Sequence, residues 1–516
     1  MLLSLLRRYG CQPSLLCSLA LPALFSDHAV LQRSEKTPVW GTGTPGAEVK
    51  VSIAKEQALT HVGDDGKWRV DLNLSKVADG PHTVSIEGDG ERIGIHDVLV
   101  GEVWFASGQS NMMFRLGQGA HADSPEARVE MNWLREFRVG LQAGEEPFKK
   151  IRGKWMAAIP PANQRFGAVS YFFGKALLER LGRPVGVVNN SWGNTPIEPW
   201  ISPEALERDP VLAEDAARAR EFHRTQPKEH DPLPLQTRHV PGYIYNGIVA
   251  PLVPYGIAGF IWYQGESNAP RAALYQQAFP LLINDWRQRW GRGDLPFYFC
   301  QIASYRAKTA DPNAPGNWAE LREAQTAALK LPATAMAVLI DAGEQGDIHP
   351  RDKKTPGERL AAIALAQHYG EKDAFASPTY ASMEVDGSRV RLRFDHVGSG
   401  LEARPLPATY RLKSTDTEEQ PLPRNRPDSP LEGFAVAGAD EVFHWADARI
   451  EGENQVVVSS PEVPEPVAVR YGWADNPTVN LYNSAGLPAA PFRTDHWKLF
   501  TQGARLKLPD LPARKP

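Results

Sequence analysis

The spacing of hydrophobic positions changes twice along the chain, and the changes divide it into three regions. From residue 21 to 100, apolar and polar residues alternate one by one, as in the run Val-Lys-Val-Ser-Ile at 49–53. Such alternation is typical of strands with one buried and one solvated face. Glycine-rich turn sequences separate the runs. We predict an N-terminal β-sandwich-like domain over 21–100, which either packs against its neighbour or binds carbohydrate.

Continuous apolar runs replace this alternation between residues 101 and 378. They predict strands buried on both faces, as in a parallel sheet, and longer segments with one apolar stripe predict helices between them. The expected strands are 102–106, 185–188, 257–262, 296–301 and 334–340, and the expected helices are 168–181, 275–290 and 318–329. This order predicts an α/β domain with a mostly parallel sheet and helices on both faces. A charged and proline-rich segment at 203–240 is expected to be an insertion over the sheet edge.

Alternation returns after residue 378. Val390, Leu392 and Phe394 alternate with arginines, and the run at 456–458 predicts a further strand. A proline- and charge-rich loop at 413–431 lies between them. We therefore predict a C-terminal β-rich region over 379–516.

The first twenty residues resemble a signal peptide. Arg7 and Arg8 precede a short apolar run at 15–20, and Ser18-Leu19-Ala20 has the small residues of a cleavage site. The alternative is a buried first helix or strand. Cleavage would remove Cys11 and Cys17 and leave Cys300 alone, so no intramolecular disulfide is expected in the mature chain. This interpretation places the protein outside the cytoplasm, secreted or periplasmic.

Composition excludes two classes of partner. The 516 residues carry a formal net charge of -4, which predicts no basic surface for nucleic acid. No apolar run after residue 30 is long enough to span a bilayer, so stable membrane insertion is not expected. The oligomeric state is left open by the sequence.

The candidate chemistry begins where the strand at 102–106 ends, in Ser107-Gly-Gln-Ser110-Asn. Glycine permits a sharp turn there, and Ser110 follows at the carboxyl end of the strand, where open α/β sheets hold their ligands. A serine in this position is a nucleophile if a base reaches it. The alternative is a turn serine that caps the next helix.

Three further polar sets follow apolar strands or end the α/β region. They are Ser191-Trp-Gly193-Asn194-Thr, Gln264-Gly-Glu266-Ser-Asn268 and Gly346-Asp347-Ile-His349-Pro350. Serine, aspartate and histidine can form a triad whatever their order along the chain, and glycine N–H groups and side-chain amides can bind an oxyanion. Taken singly, each set also fits a simpler role. Asp347 and His349 could cap a helix or bind a metal, Glu266 could be structural, and Gly193 could serve a tight turn.

Taken together, these motifs resemble the sialate O-acetylesterase family of SGNH-type serine hydrolases, over nearly the whole chain. The blocks that carry the resemblance are Gly108-Gln-Ser-Asn-Met112, Gly186-Val-Val-Asn-Asn-Ser-Trp-Gly193, Trp262-Tyr-Gln-Gly-Glu-Ser-Asn268 and Asp347-Ile-His-Pro350, with further ones at 24–33, 101–104, 322–325, 469–473 and 491–495. The resemblance implies an SGNH-hydrolase-like sheet that carries a serine esterase without metal or cofactor, acting on O-acetyl groups of carbohydrates.

The resemblance also implies roles for single residues. Ser110 would be the nucleophile, His349 the base and Asp347 its orienting partner. The N–H groups of Gly193 and Ser110 would bind the oxyanion, with Gln264 as third donor or, second, Asn268. Asn194 departs from the family, which usually has a second glycine there, and this predicts a narrower acyl pocket. Asp347 and His349 are separated by one residue where many SGNH enzymes have two.

Several questions stay open at this stage. Asp341 is a second candidate for the carboxylate that orients His349. The aromatic residues Trp192, Tyr263 and Trp318 are expected to contact the sugar, because sugar sites stack rings on aromatic faces; the alternative is that they are core. An acetylated hemicellulose such as xylan or xyloglucan is an alternative to an acetylated sialic acid. A secreted carbohydrate-binding protein with an inactive hydrolase core is a further hypothesis, and a lipase-like esterase is disfavoured by the lack of a long apolar lid.

Overall fold

The computed structural model of the protein describes residues 18–229, 232–372 and 375–510. Most of the predicted signal peptide, with Cys11 and Cys17, lies outside these residues, and its cleavage stays a prediction. Two residues of the predicted cleavage site are held by the fold: Leu19 is buried, and Ala20 pairs with Thr42 through two backbone hydrogen bonds of 2.9 Å. Among the described cysteines, Cys300 is a buried free thiol.

The centre of the molecule is a mostly parallel sheet, as predicted. Its strands run in the order β13-β12-β11-β7-β10-β8-β9. All neighbours in this row are parallel except the edge strand β9, which is antiparallel to β8. The strands are β7 (Glu91–Gly108), β8 (Met131–Val139), β9 (Gly153–Ala158), β10 (Val185–Ser191), β11 (Gly259–Tyr263), β12 (Phe297–Cys300) and β13 (Thr334–Ala337).

Helices cover both faces of this sheet, which confirms the predicted α/β class. Trp104 and Phe105 are neighbours on β7 and therefore point to opposite faces. The Trp104 ring lies 5.3 Å from Phe173 on helix α2, whereas Phe105 lies 5.6 Å from Trp286 on helix α5. The helices are α1 (Ser110–Met113), α2 (Ala168–Leu181), α3 (Pro203–Leu206), α4 (Pro210–Thr225), α5 (Ala272–Trp290), α6 (Asn317–Ala327) and α7 (Lys354–Gln367).

The N-terminal strands are tied to the central sheet through one shared strand. The first half of β7 pairs with β6, and its second half lies between β10 and β11. The predicted division between 21–100 and 101–378 therefore falls inside a continuous strand, and the domain boundary stays a prediction. The remaining N-terminal strands are β1 (Val30–Gln32), β2 (Thr37–Thr42), β3 (Glu48–Ile53), β4 (Glu56–His61), β5 (Lys67–Leu72) and β6 (His82–Gly88).

The C-terminal region is built of small antiparallel sheets around a core of its own, as predicted. It reaches back to the loop that carries His349, because Gly346 N–H donates to Leu412 O at 2.7 Å and Ser414 N–H donates to the Glu344 carboxylate at 2.7 Å. Its strands are β14 (Thr379–Asp386), β15 (Arg389–Asp395), β16 (Leu401–Ala403), β17 (Thr409–Tyr410), β18 (Gln420–Pro421), β19 (Phe434–Ala437), β20 (Phe443–Trp445), β21 (Asp447–Glu451), β22 (Gln455–Ser459), β23 (Ala468–Tyr471), β24 (Leu481–Asn483) and β25 (Phe492–Arg493).

The segment 203–240 holds the helices α3 and α4 and then a loop. Ala219, Leu235, Val240 and Tyr243 form a small buried cluster there, against which Leu506 and Leu508 of the C-terminal end pack. In the ranges that the structure describes, no helix is both long and apolar enough to cross a membrane.

Candidate active site

Three of the predicted polar sets meet at one edge of the sheet. In the register of the parallel strands, Gly108 at the end of β7 lies beside Ser191 at the end of β10 and Tyr263 at the end of β11. The segments that follow these three residues therefore start side by side, at the carboxyl edge where such sheets bind ligands.

The turn that presents Ser110 depends on Gly108. Its φ is +139°, and a Cβ atom there would lie 2.1 Å from the carbonyl oxygen of Tyr263. Only glycine fits both the conformation and the close approach. The next residue, Gln109, donates its N–H to the same carbonyl at 3.0 Å, and Ser110 then begins the short helix α1.

Ser110 is in hydrogen-bond contact with His349. Its Oγ lies 2.8 Å from His349 Nε2, a distance at which a base can take the hydroxyl proton. The two residues are 239 positions apart in the sequence. The fold therefore brings together the predicted nucleophile and the predicted base.

Asp347 lies beside His349 but holds its ring loosely. One carboxylate oxygen accepts the backbone N–H of His349 at 2.8 Å, and the same oxygen is 3.7 Å from Nδ1 of the ring. The side chains of His349 and Asp347 are 39% and 37% exposed. The contact is a longer electrostatic pairing, since a ring hydrogen bond would need about 3 Å.

The alternative carboxylate, Asp341, is engaged elsewhere. Arg359 donates to both of its oxygens at 2.7 and 2.8 Å, and Tyr482 Oη lies 3.3 Å from one of them. This pairing favours Asp347 as the partner of His349.

The surroundings of His349 favour its neutral form. Burial lowers the pKa of the ring below its ordinary value, the Asp347 carboxylate raises it, and the positive charge of Lys353 lowers it. The lowering effects win, so the imidazole stays unprotonated, and able to accept a proton, to lower pH than a free histidine.

Gly193 lies next to Ser110. A Cβ built on it would lie 3.5 Å from Cβ of Ser110. Its N–H donates to the thioether sulfur of Met113 at 3.4 Å. Sulfur of this kind is a weak acceptor, so a developing oxyanion would compete well for this donor. The following residue, Asn194, has φ +57°, the left-handed conformation that glycine favours and asparagine tolerates.

The two amides proposed as the third oxyanion donor are tied up in a buried network. Gln264 Nε2 donates to Thr195 O at 3.2 Å and to Asn268 Oδ1 at 2.7 Å. Asn268 Nδ2 donates to the carboxylate of Glu198 at 3.2 and 3.3 Å. These bonds hold the segments after β10 and β11 together and occupy both amide nitrogens. Either amide would therefore have to give up a present bond before it could donate a hydrogen bond to an oxyanion.

The three predicted sugar-contacting aromatics differ in their exposure. Trp192 is partly exposed. Tyr263 and Trp318 are only 1% and 2% exposed, and Trp318 Nε1 donates to Ala303 O at 2.9 Å. The rings of these two residues pack in the core, which was the alternative role left open for them, so Trp192 alone of the three is exposed enough for the expected sugar contact, which stays a prediction.

Two features beside the site were not anticipated from the sequence. Asn111 and Lys353 form a buried hydrogen bond of 2.9 Å next to Ser110 and His349. The sequence indicates a role for them only through their positions, since Asn111 directly follows Ser110 and Lys353 lies four residues after His349. A cavity of about 570 Å³ opens beside Met113 and Ser191 and is lined by four cationic side chains, Arg115, Arg138, Lys154 and Arg165. These cations lie far apart in sequence, and only the fold gathers them.

Metal binding is one of the two simpler roles that Asp347 and His349 could have, beside capping a helix. Within residues 18–229, 232–372 and 375–510, no three histidine, cysteine or carboxylate side chains are grouped as a metal site would require.

Comparisons with known proteins agree with this fold. A family model described as carbohydrate esterase, sialic acid-specific acetylesterase, matches residues 241–369. The mouse sialate O-acetylesterase is 32% identical over 532 residues, covering 90% of this chain and 92% of the mouse protein. The human sialate O-acetylesterase is 32% identical over 386 residues, covering 67% and 70%.

A solved structure adds the three-dimensional likeness. The crystal structure of a carbohydrate acetylesterase from Xanthomonas citri matches with a TM-score of 0.79 and 37% sequence identity, covering 93% of this chain and 100% of that one. The family resemblance predicted from the motifs is thereby confirmed. The chain belongs to the sialate O-acetylesterase family and is a carboxylic ester hydrolase of the carbohydrate-esterase type.

Proposed function

We propose that the protein removes O-acetyl groups from carbohydrates through a covalent acetyl-Ser110 intermediate, with His349 as the base and Asp347 as the carboxylate beside it. The observation that carries the proposal is the 2.8 Å contact between Ser110 Oγ and His349 Nε2. Family membership supports the reaction class.

The steps follow from this contact. His349 Nε2 takes the Ser110 proton as Oγ attacks the acetyl carbonyl carbon, and the tetrahedral oxyanion collapses when the sugar oxygen leaves with that proton. Water, deprotonated by His349, then attacks the acetyl-serine. The second tetrahedral oxyanion collapses to acetate as Ser110 Oγ leaves and takes the proton back from His349. The carboxylate of Asp347, 3.7 Å from Nδ1, stabilises the imidazolium by its charge and favours the tautomer with the proton on Nδ1.

The oxyanion is stabilised by backbone N–H groups. Gly193 N–H exchanges the Met113 sulfur for the oxyanion, and Ser110 N–H is the second donor, since the first N–H groups of a helix have no partner within it. Gln264, and after it Asn268, are third donors only after one of their present bonds is released.

The test is labelling with an organophosphonate together with acetate release from an aryl acetate. Phosphonate on Ser110 and acetate release are expected for the wild type, and neither for Ser110→Ala. A chain that binds acetylated sugar but takes no label and releases no acetate would be the inactive binding protein. Acetate release by Ser110→Ala at the wild-type rate would exclude the mechanism.

For the substrate, the cavity beside Met113 and Ser191 favours an acidic sugar. Four of the residues that line it are cationic, and one of them, Arg138, has its Nε 3.3 Å from a carboxylate oxygen of the buried Glu136. Arginine pairs well with carboxylates, so we propose an O-acetylated sugar that carries a carboxylate, such as a sialic acid, over a neutral acetylated xylan or xyloglucan.

A substrate panel separates the two classes. We expect Arg115→Gln and Arg165→Gln to lower kcat/KM on an acetylated sialic acid and to leave an acetylated xylo-oligosaccharide unchanged. Arg69→Gln is the control, since Arg69 pairs with Asp71 on a strand of the N-terminal region. Equal losses on both substrates would exclude an acidic-sugar subsite.

The site of action is proposed to be extracytoplasmic, on the basis of the signal-like residues 1–20. Mass-spectrometric reading of the exported protein is expected to find a start near Leu21, and an intact Met1 in that fraction would contradict the proposal.

A further inference from the structure

A buried polar bridge lies beneath the contact between Ser110 and His349. Asn111 is at its centre: its Nδ2 donates to Glu266 Oε1 at 2.5 Å, and its Oδ1 accepts from Lys353 Nζ at 2.9 Å. Asn111 lies in α1, Glu266 in the segment after β11, and Lys353 directly before α7. The bridge therefore joins three separate parts of the sheet edge.

The same side chains hold the backbone on both sides of His349. Asn111 Nδ2 also donates to the carbonyl of Ile348 at 3.1 Å. Lys353 Nζ also donates to the carbonyl of Pro350. Because these carbonyls belong to the residues immediately before and after His349, the bridge fixes the position of that residue relative to the residue that follows Ser110.

The bridge is almost completely shielded from water. Asn111 and Lys353 are each 1% exposed and Glu266 is 8% exposed. Burial raises the pKa of Glu266 and lowers the pKa of Lys353 to about 8, against the opposing effects of Glu266, Asp352, Glu344 and Cys300. The ammonium also lies 4.7 Å from the centre of the Phe114 ring. Hydrogen bonds buried in this way are stronger than exposed ones, although the second carboxylate oxygen of Glu266 accepts none among the described residues.

We propose that Asn111, Glu266 and Lys353 are positioning residues that hold the His349 loop in register with the nucleophile turn, a task that Asp347, as a member of the same loop, does not perform. Asp347 accepts the His349 N–H at 2.8 Å and lies 3.7 Å from the ring, whereas the bonds of 2.5 to 3.1 Å in the bridge connect the loop to the residue after Ser110. The inference rests on the proposed function, because it assigns the bridge a part in that reaction.

The bridge also acts on the charge of His349. Two charged groups shift its pKa: Asp347 raises it and Lys353 lowers it. Lys353 is protonated below its pKa of about 8, and so throughout the range where a histidine titrates. Removing the lysine charge should therefore raise the pKa of His349, whereas removing the Asp347 charge should lower it.

The first test uses Lys353→Met, with Lys354→Met as the matched control. Lys354 is the next residue, is 28% exposed and pairs with Glu126 at 2.7 Å. We expect the acid limb of the kcat/KM profile of Lys353→Met to move to higher pH, and that of Lys354→Met to stay in place. A purely structural lysine would lower activity without moving the limb.

The second test uses Asn111→Ala, with Asn163→Ala as a control for the loss of a buried asparagine. Asn163 is fully buried and donates to Ala127 O. We expect Asn111→Ala to lower kcat by about 10²-fold with little change in KM, the cost of a displacement of about 1 Å between reacting groups. Glu266→Gln keeps an acceptor for Asn111 and should retain most of that activity.

A readout without turnover separates this inference from the proposed function. The ring proton signals of His349, identified among 13 histidines by their loss in His349→Gln, are titrated by NMR in wild type, Lys353→Met and Asp347→Asn. Opposite shifts of the pKa in the two variants support the bridge even if wild type hydrolyses no ester. An unchanged pKa in folded Lys353→Met, or full kcat in Asn111→Ala, would overturn it.

Discussion

The two halves of the site are held in place by different means. The nucleophile turn is fixed by the sheet itself: Gly108 lies against the Tyr263 carbonyl, and Gln109 donates to that carbonyl at 3.0 Å. The His349 loop is not part of the sheet, and the His349 ring is 39% exposed. Backbone bonds anchor the loop further out, at Gly346 and Arg351, but the residues on either side of His349 are held by side-chain bonds from Asn111 and Lys353. Geometry set by backbone packing tolerates little change, whereas geometry set by side chains can be dismantled one bond at a time.

The largest effect is expected on the nucleophile side. Ser110→Ala should lower kcat by about 10⁶-fold, as loss of the nucleophile does in serine proteases, while the thermal midpoint stays near that of wild type. Ser107→Ala, which loses a 2.7 Å hydrogen bond to Asn190 O on the neighbouring strand, is the control. The measurement is the rate of acetate release from one aryl acetate by both variants. If Ser107→Ala lost as much activity as Ser110→Ala, the loss in Ser110→Ala could not be assigned to a nucleophile.

Asp347→Asn should have the next largest effect. In serine proteases the corresponding change costs about 10⁴-fold in kcat, and we expect at most this loss because the ring contact is 3.7 Å. The Asp347 charge raises the pKa of His349, so its removal should move the acid limb of kcat/KM to lower pH. Asp341→Asn is the control, since Asp341 pairs with Arg359; the reverse ranking of the two variants, both folded by circular dichroism, would reassign the carboxylate.

Gly108→Ala should disturb the turn without touching the reacting groups. The new methyl group would lie 2.1 Å from Tyr263 O, so the backbone must move by about 1 Å, a displacement that costs about 10²-fold in kcat. The thermal midpoint should fall as well, because the φ of +139° disfavours alanine. Gly46→Ala is the control, because Gly46 is exposed and has a positive φ but no atom of the described chain beyond its neighbours within 4 Å of the new methyl group. It therefore measures the effect of backbone strain without a steric clash. Equal kcat in both variants would show that the turn at Gly108 tolerates movement.

The smallest effect is expected at the rim of the site. Trp192→Ala should lower kcat/KM on an acetylated oligosaccharide by about 3- to 10-fold, the worth of one aromatic contact, and should leave a small aryl acetate unchanged. Trp318→Ala is the contrast, because it removes a core ring and should lower the thermal midpoint. Equal losses on both substrates for Trp192→Ala would show that this ring does not contact the sugar.

The hydrophobic pattern predicted most of the α/β core. The helix expected at 168–181 is α2 with the same bounds, and the strand expected at 185–188 is the first part of β10. Helix α7 was missed, although its apolar positions are regular, because Pro356 and Gly357 in its first turns are typical of a loop. Both residues are tolerated near a helix start, where few N–H groups are bonded within the helix.

The sequence singled out the candidate site residues, but it could not predict the contacts that they make. Ser110 and His349 follow from the motifs, since the ends of parallel strands meet at one edge. The direction of an amide does not follow from its position, and Gln264 turns toward Thr195 and Asn268. Trp318 lies on the inner side of α6, which no pattern of aromatic residues near a strand end distinguishes from a sugar platform.

The shared strand β7 limits how this protein can be recombined. A binding module that is joined by a linker can be replaced by another module. Here, however, residues Glu91–Gly108 form both the last strand of the N-terminal sheet and the strand that leads to Ser110. A chimera cut at residue 100 would sever that strand in its middle, where Val100 and Val103 are buried. The end of the N-terminal region therefore has to be kept together with the α/β core. If another module replaced the N-terminal region, the junction would have to lie before the hairpin of β6 and β7.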